Sequence, residues 1–194
     1  MTTKYILILI VLLSITFGLR SQTALISGHL PATFLANAEV EIHIINLNQQ
    51  DTIKRIPDAS GLYEYNAPIG NDYKISAKLV GGARFIDFLN GVSTIDQVLI
   101  LRHIIEIKTF AIPEKIIAAD VNLDGIVTST DLVLMLRLLL GINQDFGHSN
   151  SWFIRPTSNP IVNSYDIINL QADMTGLDFI TIKLGDVSGN AIIE

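Results

Sequence analysis

The sequence predicts a multi-domain β + α chain: a small antiparallel β-sandwich, then a pair of loop–helix motifs with a short β-containing C-terminal extension. Three observations carry that expectation. From Thr23 to about Arg84, short runs rich in β-branched and aromatic residues alternate polar and apolar side chains, the period of a half-buried strand. After Phe85 the apolar runs lengthen and take a helical period. Two of those longer runs are also copies of each other at a spacing of 35 residues, and a duplicated unit is a structural clue in itself.

The chain has 194 residues, no cysteine and 49% hydrophobic residues. Its opening, `MTTKYILILIVLLSITFGLRSQ`, has one lysine, an apolar run and a polar exit, the outline of a secretory signal peptide over residues 1–22. The run from Tyr5 to Gly18 is about 14 residues, short of the ~20 that span a bilayer. No membrane span is therefore expected once the signal is removed. No cysteine follows the run, which argues against a lipid anchor there. The expected destination is the cell surface or the medium.

Removal of residues 1–22 takes away Lys4 and Arg20 and leaves 11 basic against 19 acidic residues, a formal net charge of −8. Nothing basic is clustered to neutralise phosphates, so nucleic acid is not an expected partner. Acidic loops suit cations better. Without cysteine, in a compartment that permits disulfides, stability must come from cores or from bound metal. The composition change places the division between a strand unit, 23–85, and a helical unit, 86–194.

In the first unit, `TALISGHL`, `EVEIHIINL`, `TIKRIP`, `GLYEYNAPI` and `DYKISAKLV` read as strands, separated by the turn signals `PDASG`, `PIGND` and `VGG`. Several short strands without a helix between them make a small sandwich. The order `ISG`, `AEVEIHI`, `DASGLYEYNAPIGNDYKI` resembles the carboxypeptidase-regulatory-like domain, a prealbumin-like sandwich, over about 60 residues. The resemblance implies a spacer or a weak binding module. Tyr63, Tyr65 and Tyr73 are either a carbohydrate-binding surface or strand tyrosines half in the core.

In the second unit, `STIDQVLILRHIIEI` (Ser93 to Ile107) and `TSTDLVLMLRLLLGI` (Thr128 to Ile142) are each long enough for three helical turns, with Asp96 and Asp131 at their N-termini and Gly141 placed as a C-cap. The duplication matches Asp96 with Asp131, Val98 with Val133, Leu99 with Leu134, Leu101 with Leu136 and Arg102 with Arg137.

The stretch `DVNLDGIVTSTD` just before the second helix has the spacing of a twelve-residue calcium loop. Such a loop presents ligands from positions 1, 3, 5, 7, 9 and 12, with glycine at 6. Here those are Asp120, Asn122, Asp124, the Ile126 carbonyl, Thr128 (directly or through a water) and Asp131, with Gly125 at position 6. Three carboxylates and no soft ligand favour Ca²⁺ over softer metals. Val127 holds position 8, where two such loops usually touch through a short β-bridge.

An aspartate at position 12, an apolar exiting helix and a duplication together resemble the type I dockerin family, whose repeats read `D-x-N-x-D-G-x-x-x-S-x-D-L`. The match runs from about Phe85 to Ile142 and is specific in the second repeat, `DVNLDGIVTSTDLVLMLRLLLG`. The resemblance implies a dockerin-like pair of F-hand loop–helix motifs, two Ca²⁺ ions and docking to a cohesin-like β-sandwich partner. It places partner-selecting residues at Ser129, Thr130 and Arg137 in the second repeat, and at Thr94, Ile95 and Arg102 in the first.

The first repeat has only half a loop. Counting back from Asp96, Ser93 is position 9, Gly91 gives a carbonyl at 7 and Asn90 sits at 6, but Phe85, Asp87 and Leu89 hold positions 1, 3 and 5. Near the C-terminus, `GDVSGN` carries Asp186, Ser188 and Asn190 at spacing 1, 3, 5. If the tail folds back, Asp186, Ser188 and Asn190 join Gly91, Ser93 and Asp96 in a split second metal site; otherwise `GDVSGN` is a plain turn. Between them, `SWFIRP` and `DFITIKLG` look like two strands. The whole arrangement resembles a variant found at the ends of exported Bacteroidetes surface proteins.

No catalytic set is visible, and an enzyme is not expected. The four histidines, His29, His43, His103 and His148, are scattered, and no nucleophile motif or phosphate loop is present. Glu39 and Glu41 share a strand face as surface charges commonly do. The helix `LVLMLRLLL` has one polar residue, so it must be covered nearly all round. Three functions remain open: docking to a cohesin-like domain in a surface or polysaccharide-handling assembly, a calcium-stabilised structural end-cap or spacer without a partner, or carbohydrate binding by the β-sandwich.

Overall fold

The computed structural model describes residues 22–81 and 87–191. The expected signal peptide, Gln22 excepted, lies outside them, as does Phe85. Among the described residues no helix is long and apolar enough to cross a membrane.

Two antiparallel sheets form the N-terminal part. Strand β1 (Thr23–His29) pairs with β4 (Leu62–Pro68), and a second sheet runs β3 (Asp51–Arg55), β2 (Glu39–Asn46), β5 (Tyr73–Gly81), β7 (Tyr165–Ile167). Along β2 the inward set is Val40, Ile42, Ile44 and Asn46, every second residue, as the alternation requires. The turn before β4 is built by Asp58, whose Oδ1 accepts from the Ser60 and Leu62 N–H groups at 2.8 and 3.0 Å. Gly61 follows at φ +90, where a Cβ would run into the Leu30 carbonyl. That explains the `DASG` signal chemically: an Asx turn, then a residue that must lack a side chain.

The helices are α1 (Ala32–Leu35), α2 (Thr94–Ile104), α3 (Pro113–Ala119) and α4 (Ser129–Leu139). Both expected helices form, each opened by a capping box: Ser93 with Asp96, and Thr128 with Asp131. Gly141, at φ +68, closes α4. The Ile142 and Gly141 N–H groups donate to the Arg137 and Leu138 carbonyls at 2.8 and 2.9 Å, a Schellman motif. Helix α3 was not expected. Its one signal is Pro113 at the first helical position, followed by Glu114.

Strands β6 (Trp152–Pro156) and β8 (Phe179–Lys183) pair with each other, at the two segments read as strands. Their placement crosses the expected division at residues 85/86. Trp152, Ile154, Ile167, Leu170, Leu177 and Phe179 are buried in the same core as the N-terminal strands. β7 completes the larger sheet beside β5, with Tyr73 opposite Ile167. The physical reason is an open edge: β5 needs a hydrogen-bonding neighbour on its far side, and three residues of the C-terminal segment supply it. Strand β8 is a shared wall. Phe179 faces the first core, while Ile182 joins the second, with Leu184 just beyond the strand. That second core also holds Ile100 of α2, Met135 and Leu138 of α4, and Val121 and Val187.

Candidate metal and docking site

The intact loop lies between α3 and α4. Asp120 ends α3 as its C-cap residue, and Asp131 is the third residue of α4, so rigid elements hold both ends of the ligand set. Asp131 is fully buried and Asp120 nearly so. Leu123 and Gly125 take φ +60 and +88, turning the chain back over its own carboxylates. Gly125 has open space where a Cβ would go, so conformation, not room, requires the glycine.

Asp120 accepts from the Asp124 N–H (Oδ1, 3.1 Å) and the Gly125 N–H (Oδ2, 2.8 Å). Asp131 accepts from the Asn122 N–H (Oδ1, 3.3 Å), the Thr128 N–H (Oδ2, 2.8 Å) and the Thr128 hydroxyl (Oδ2, 3.4 Å). Burial pushes the Asp120 carboxyl above its usual range; the Gly125 and Asp124 amides pull it down, and the Asp131 and Asp124 charges push it up. Among the described residues, no group of three or more Asp, Glu, His or Cys side chains closes on a single point; main-chain N–H groups engage the Asp120 and Asp131 carboxylates. The donor set itself is all oxygen: two side chains anchored on helix ends, two from the turn, a hydroxyl and a carbonyl. That set fits a hard divalent cation.

The structure also brings the two halves of the first repeat together. The tail after β8 runs back along α3, where the Gly185 N–H donates to the Ala118 carbonyl at 2.7 Å. Ser188 then donates its N–H to Asp96 Oδ1 at 2.8 Å, across 92 residues of sequence. A Cβ at Gly91, φ +76, would lie 2.5 Å from that of Ala191. The `GDVSGN` segment is therefore packed against residues 91–96 and is not a free turn. Sequence reading missed what steers it there. Lys183 is buried, its ammonium donating to the Phe88 and Leu184 carbonyls at 3.1 and 3.2 Å, and burial lowers its pKa to about 8.

Thr94, Ile95, Arg102, Ser129, Thr130 and Arg137 are all exposed. Thr94 borders a groove of about 350 Å³ between α2 and α4 whose apolar lining includes Val98, Leu101, Val133 and Leu136. Those four residues are 54%, 45%, 53% and 46% exposed, and they are the duplicated pairs of the 35-residue repeat. Gln97 ties the helices together by donating to the Leu132 carbonyl at 3.3 Å. The helix faces away from the groove are buried in the second core, so the largely apolar α4 is covered on one side and exposed along the groove.

Other expectations resolve differently. Val92 and Val127, both at position 8, pack at the second core, but no bridge joins them; among the described residues the isolated β-bridge is Ile26 with Met174. Tyr63 and Tyr73 are core residues whose hydroxyls donate to the Leu177 and Pro68 carbonyls at 2.6 and 2.9 Å. With Tyr65 they make no shared surface. Glu41 is bonded to Lys54 and His43, each at 2.9 Å, and the Lys54 hydrogen bond, then that of His43, holds its carboxyl below the usual range. His103 accepts from the Phe110 N–H at 3.1 Å and stacks on that ring.

The site thus defines a paired loop–helix module with acid-lined loops and an exposed two-helix groove. The family model of the dockerin type I domain matches residues 90–140, which span α2, α3, the intact loop and α4. Domains of this type typically bind calcium. Comparisons with curated proteins and with solved structures find no match.

Proposed function

We propose that this chain is an exported, non-enzymatic docking module whose loop 120–131 binds Ca²⁺ and whose α2–α4 groove receives a cohesin-like protein domain. The observation that carries the reading is the groove itself. Four apolar side chains related by the internal repeat stand exposed side by side, and a soluble chain seldom leaves such a patch bare unless something covers it. The dockerin match over these helices supports the choice of partner.

Asp120, Asn122, Asp124, the Ile126 carbonyl, Thr128 and Asp131 would hold the ion. Its charge would offset three carboxylates crowded into a half-buried loop. The protein's own part is positional. The Thr128–Asp131 capping box fixes the first turn of α4, the buried faces of Met135 and Leu138 set its rotation, and Val133 and Leu136 are thereby presented outward next to Val98 and Leu101. Thr94, Ser129 and Thr130 lie at the helix starts, with Arg102 and Arg137 further along, and would give the apolar strip polar neighbours that set orientation more than affinity; Ile95 adds an exposed apolar side chain at the start of α2. The asymmetry of Thr94–Ile95 against Ser129–Thr130 favours one docking orientation.

A second reading, a structural end-cap without a partner, has one observation in its favour: β7 and β8 join the helical unit to the strand core. Titration of the full chain with cohesin domains from its source organism separates the two. The docking reading expects calcium-dependent binding that Leu101→Asp and Leu136→Asp each weaken at least tenfold, while far-UV circular dichroism stays unchanged. Absence of calcium-dependent binding to every such domain would leave the end-cap reading.

A further inference from the structure

We infer that the cleft between the two cores binds a small organic cation, an apolar body carrying one ammonium group, with the Glu114 carboxylate as its counter-ion. The inference goes beyond the docking reading and rests on neither the calcium loop nor the α2–α4 groove.

The cleft holds about 580 Å³, a volume typical of small-molecule sites, which favour the seams between structural units. It lies on such a seam. Phe34 of α1 and Trp152 of β6 come from the first core, Ala118 of α3 and Val187 of the tail from the second. The shared wall, β8, contributes Thr181 and Ile182. Phe34 and Trp152 meet edge to face with ring centroids 5.5 Å apart. Walls of this kind take an apolar body, and aromatic rings are also good neighbours for a cation. Solvent reaches the cleft past Thr33 and Ile112, which line it and are exposed.

Glu114 selects the charge. It sits in the first turn of α3, behind Pro113, and lines the cleft. Its Oε2 is buried and has no hydrogen-bond partner among the described residues. Burying a carboxylate oxygen without a donor is costly, and native structures keep such an atom where a ligand, ion or ordered water serves it. Two other charged groups on the wall are already engaged. Asp186 accepts from the Gly189, Asn190 and Ala191 N–H groups and the Ser188 hydroxyl at 2.7, 3.2, 2.7 and 3.0 Å. The Lys183 ammonium donates to the Phe88 and Leu184 carbonyls. Lys115 also lines the cleft, but consecutive residues on a helix point apart, and it makes no hydrogen bond to the buried Glu114 oxygen. Glu114 is therefore the carboxylate on this wall with an acceptor to offer. An ammonium group supplies donor and charge together, and a charge-assisted hydrogen bond is roughly twice as strong as a neutral one. Seated there, the cation would touch both cores and stabilise the native chain as its occupancy rises.

Titration of the full chain with phenethylammonium chloride tests the inference, followed by calorimetry and by the indole N–H resonance of Trp152, the chain's single tryptophan. Phenylacetate, with the same ring and the opposite charge, is the control. Glu114→Gln keeps the side chain's size and removes its charge. Thr33→Phe, at an exposed position, narrows the entrance without touching the carboxylate. Far-ultraviolet circular dichroism verifies the fold of both variants. The expected result is saturable binding that moves the Trp152 resonance and is at least tenfold weaker in each variant, with phenylacetate at least tenfold weaker than the cation. Unchanged affinity in Glu114→Gln, or equal affinity for phenylacetate, would overturn the inference. So would the absence of saturable binding at Trp152. If Glu114→Gln does not fold, unchanged affinity in Thr33→Phe overturns it alone.

Discussion

Loop 120–131 and the tail-completed loop around Asp96 make the same hydrogen bonds by different routes. In the first, twelve consecutive residues fold over two carboxylates, and the close-packed chain ends are already covalent neighbours. In the second, positions 1 to 5 come from residues 186–190 and positions 7 to 12 from residues 91–96, so packing must do what connectivity does in the other. The cost of that arrangement is visible. Gly91 is pressed against Ala191, and Gly185 has Val92 and Phe146 where a side chain would go, whereas Gly125 of the contiguous loop faces open space. The split loop therefore depends on the tertiary fold, and the intact loop depends on its own sequence.

Three expected outcomes break or sharpen this contrast. The largest concerns the position-12 carboxylates. Asp131→Ala orphans the Asn122 and Thr128 N–H groups, and Asp96→Ala orphans those of Ser188 and Ser93. These groups are only partly buried, so each costs toward the lower end of about 1–3 kcal/mol, and both variants lose roughly 2 kcal/mol in urea denaturation with EDTA present. Asp96→Ala alone should also release the tail to proteolysis near Ser188. Equal protection of the tail in both variants would mean that Asp96 is not its anchor.

The smaller effect separates the glycines. Gly125→Ala meets only the left-handed backbone penalty, about 1 kcal/mol. Gly91→Ala adds a steric conflict with Ala191 and should cost about 2 kcal/mol or more. Thermal denaturation of both variants in EDTA measures the difference. Equal losses would remove the claim that the split loop is packing-limited.

The repeat, both long helices and the aspartate at the start of each were legible because each is written in consecutive residues with a fixed period. The alternation of Val40, Ile42 and Ile44 likewise exposed the strands. What could not be read is what two distant segments decide together. Three residues, Tyr165 to Ile167, are too few to show a period, yet they complete a sheet. Lys183 looks like any surface lysine until Phe88 and Leu184 close around it. Helix α3 has only a proline and a glutamate to announce it. The `GDVSGN` tail is the intermediate case: its spacing resembles half a loop, and only the fold shows it packed beside residues 91–96.

The measurement that tests the account most directly is amide hydrogen exchange on the full chain with and without calcium. If loop 120–131 binds the ion and thereby orders α4, protection on adding calcium rises in residues 120–139. Exchange of those residues at one rate in both conditions would contradict the account.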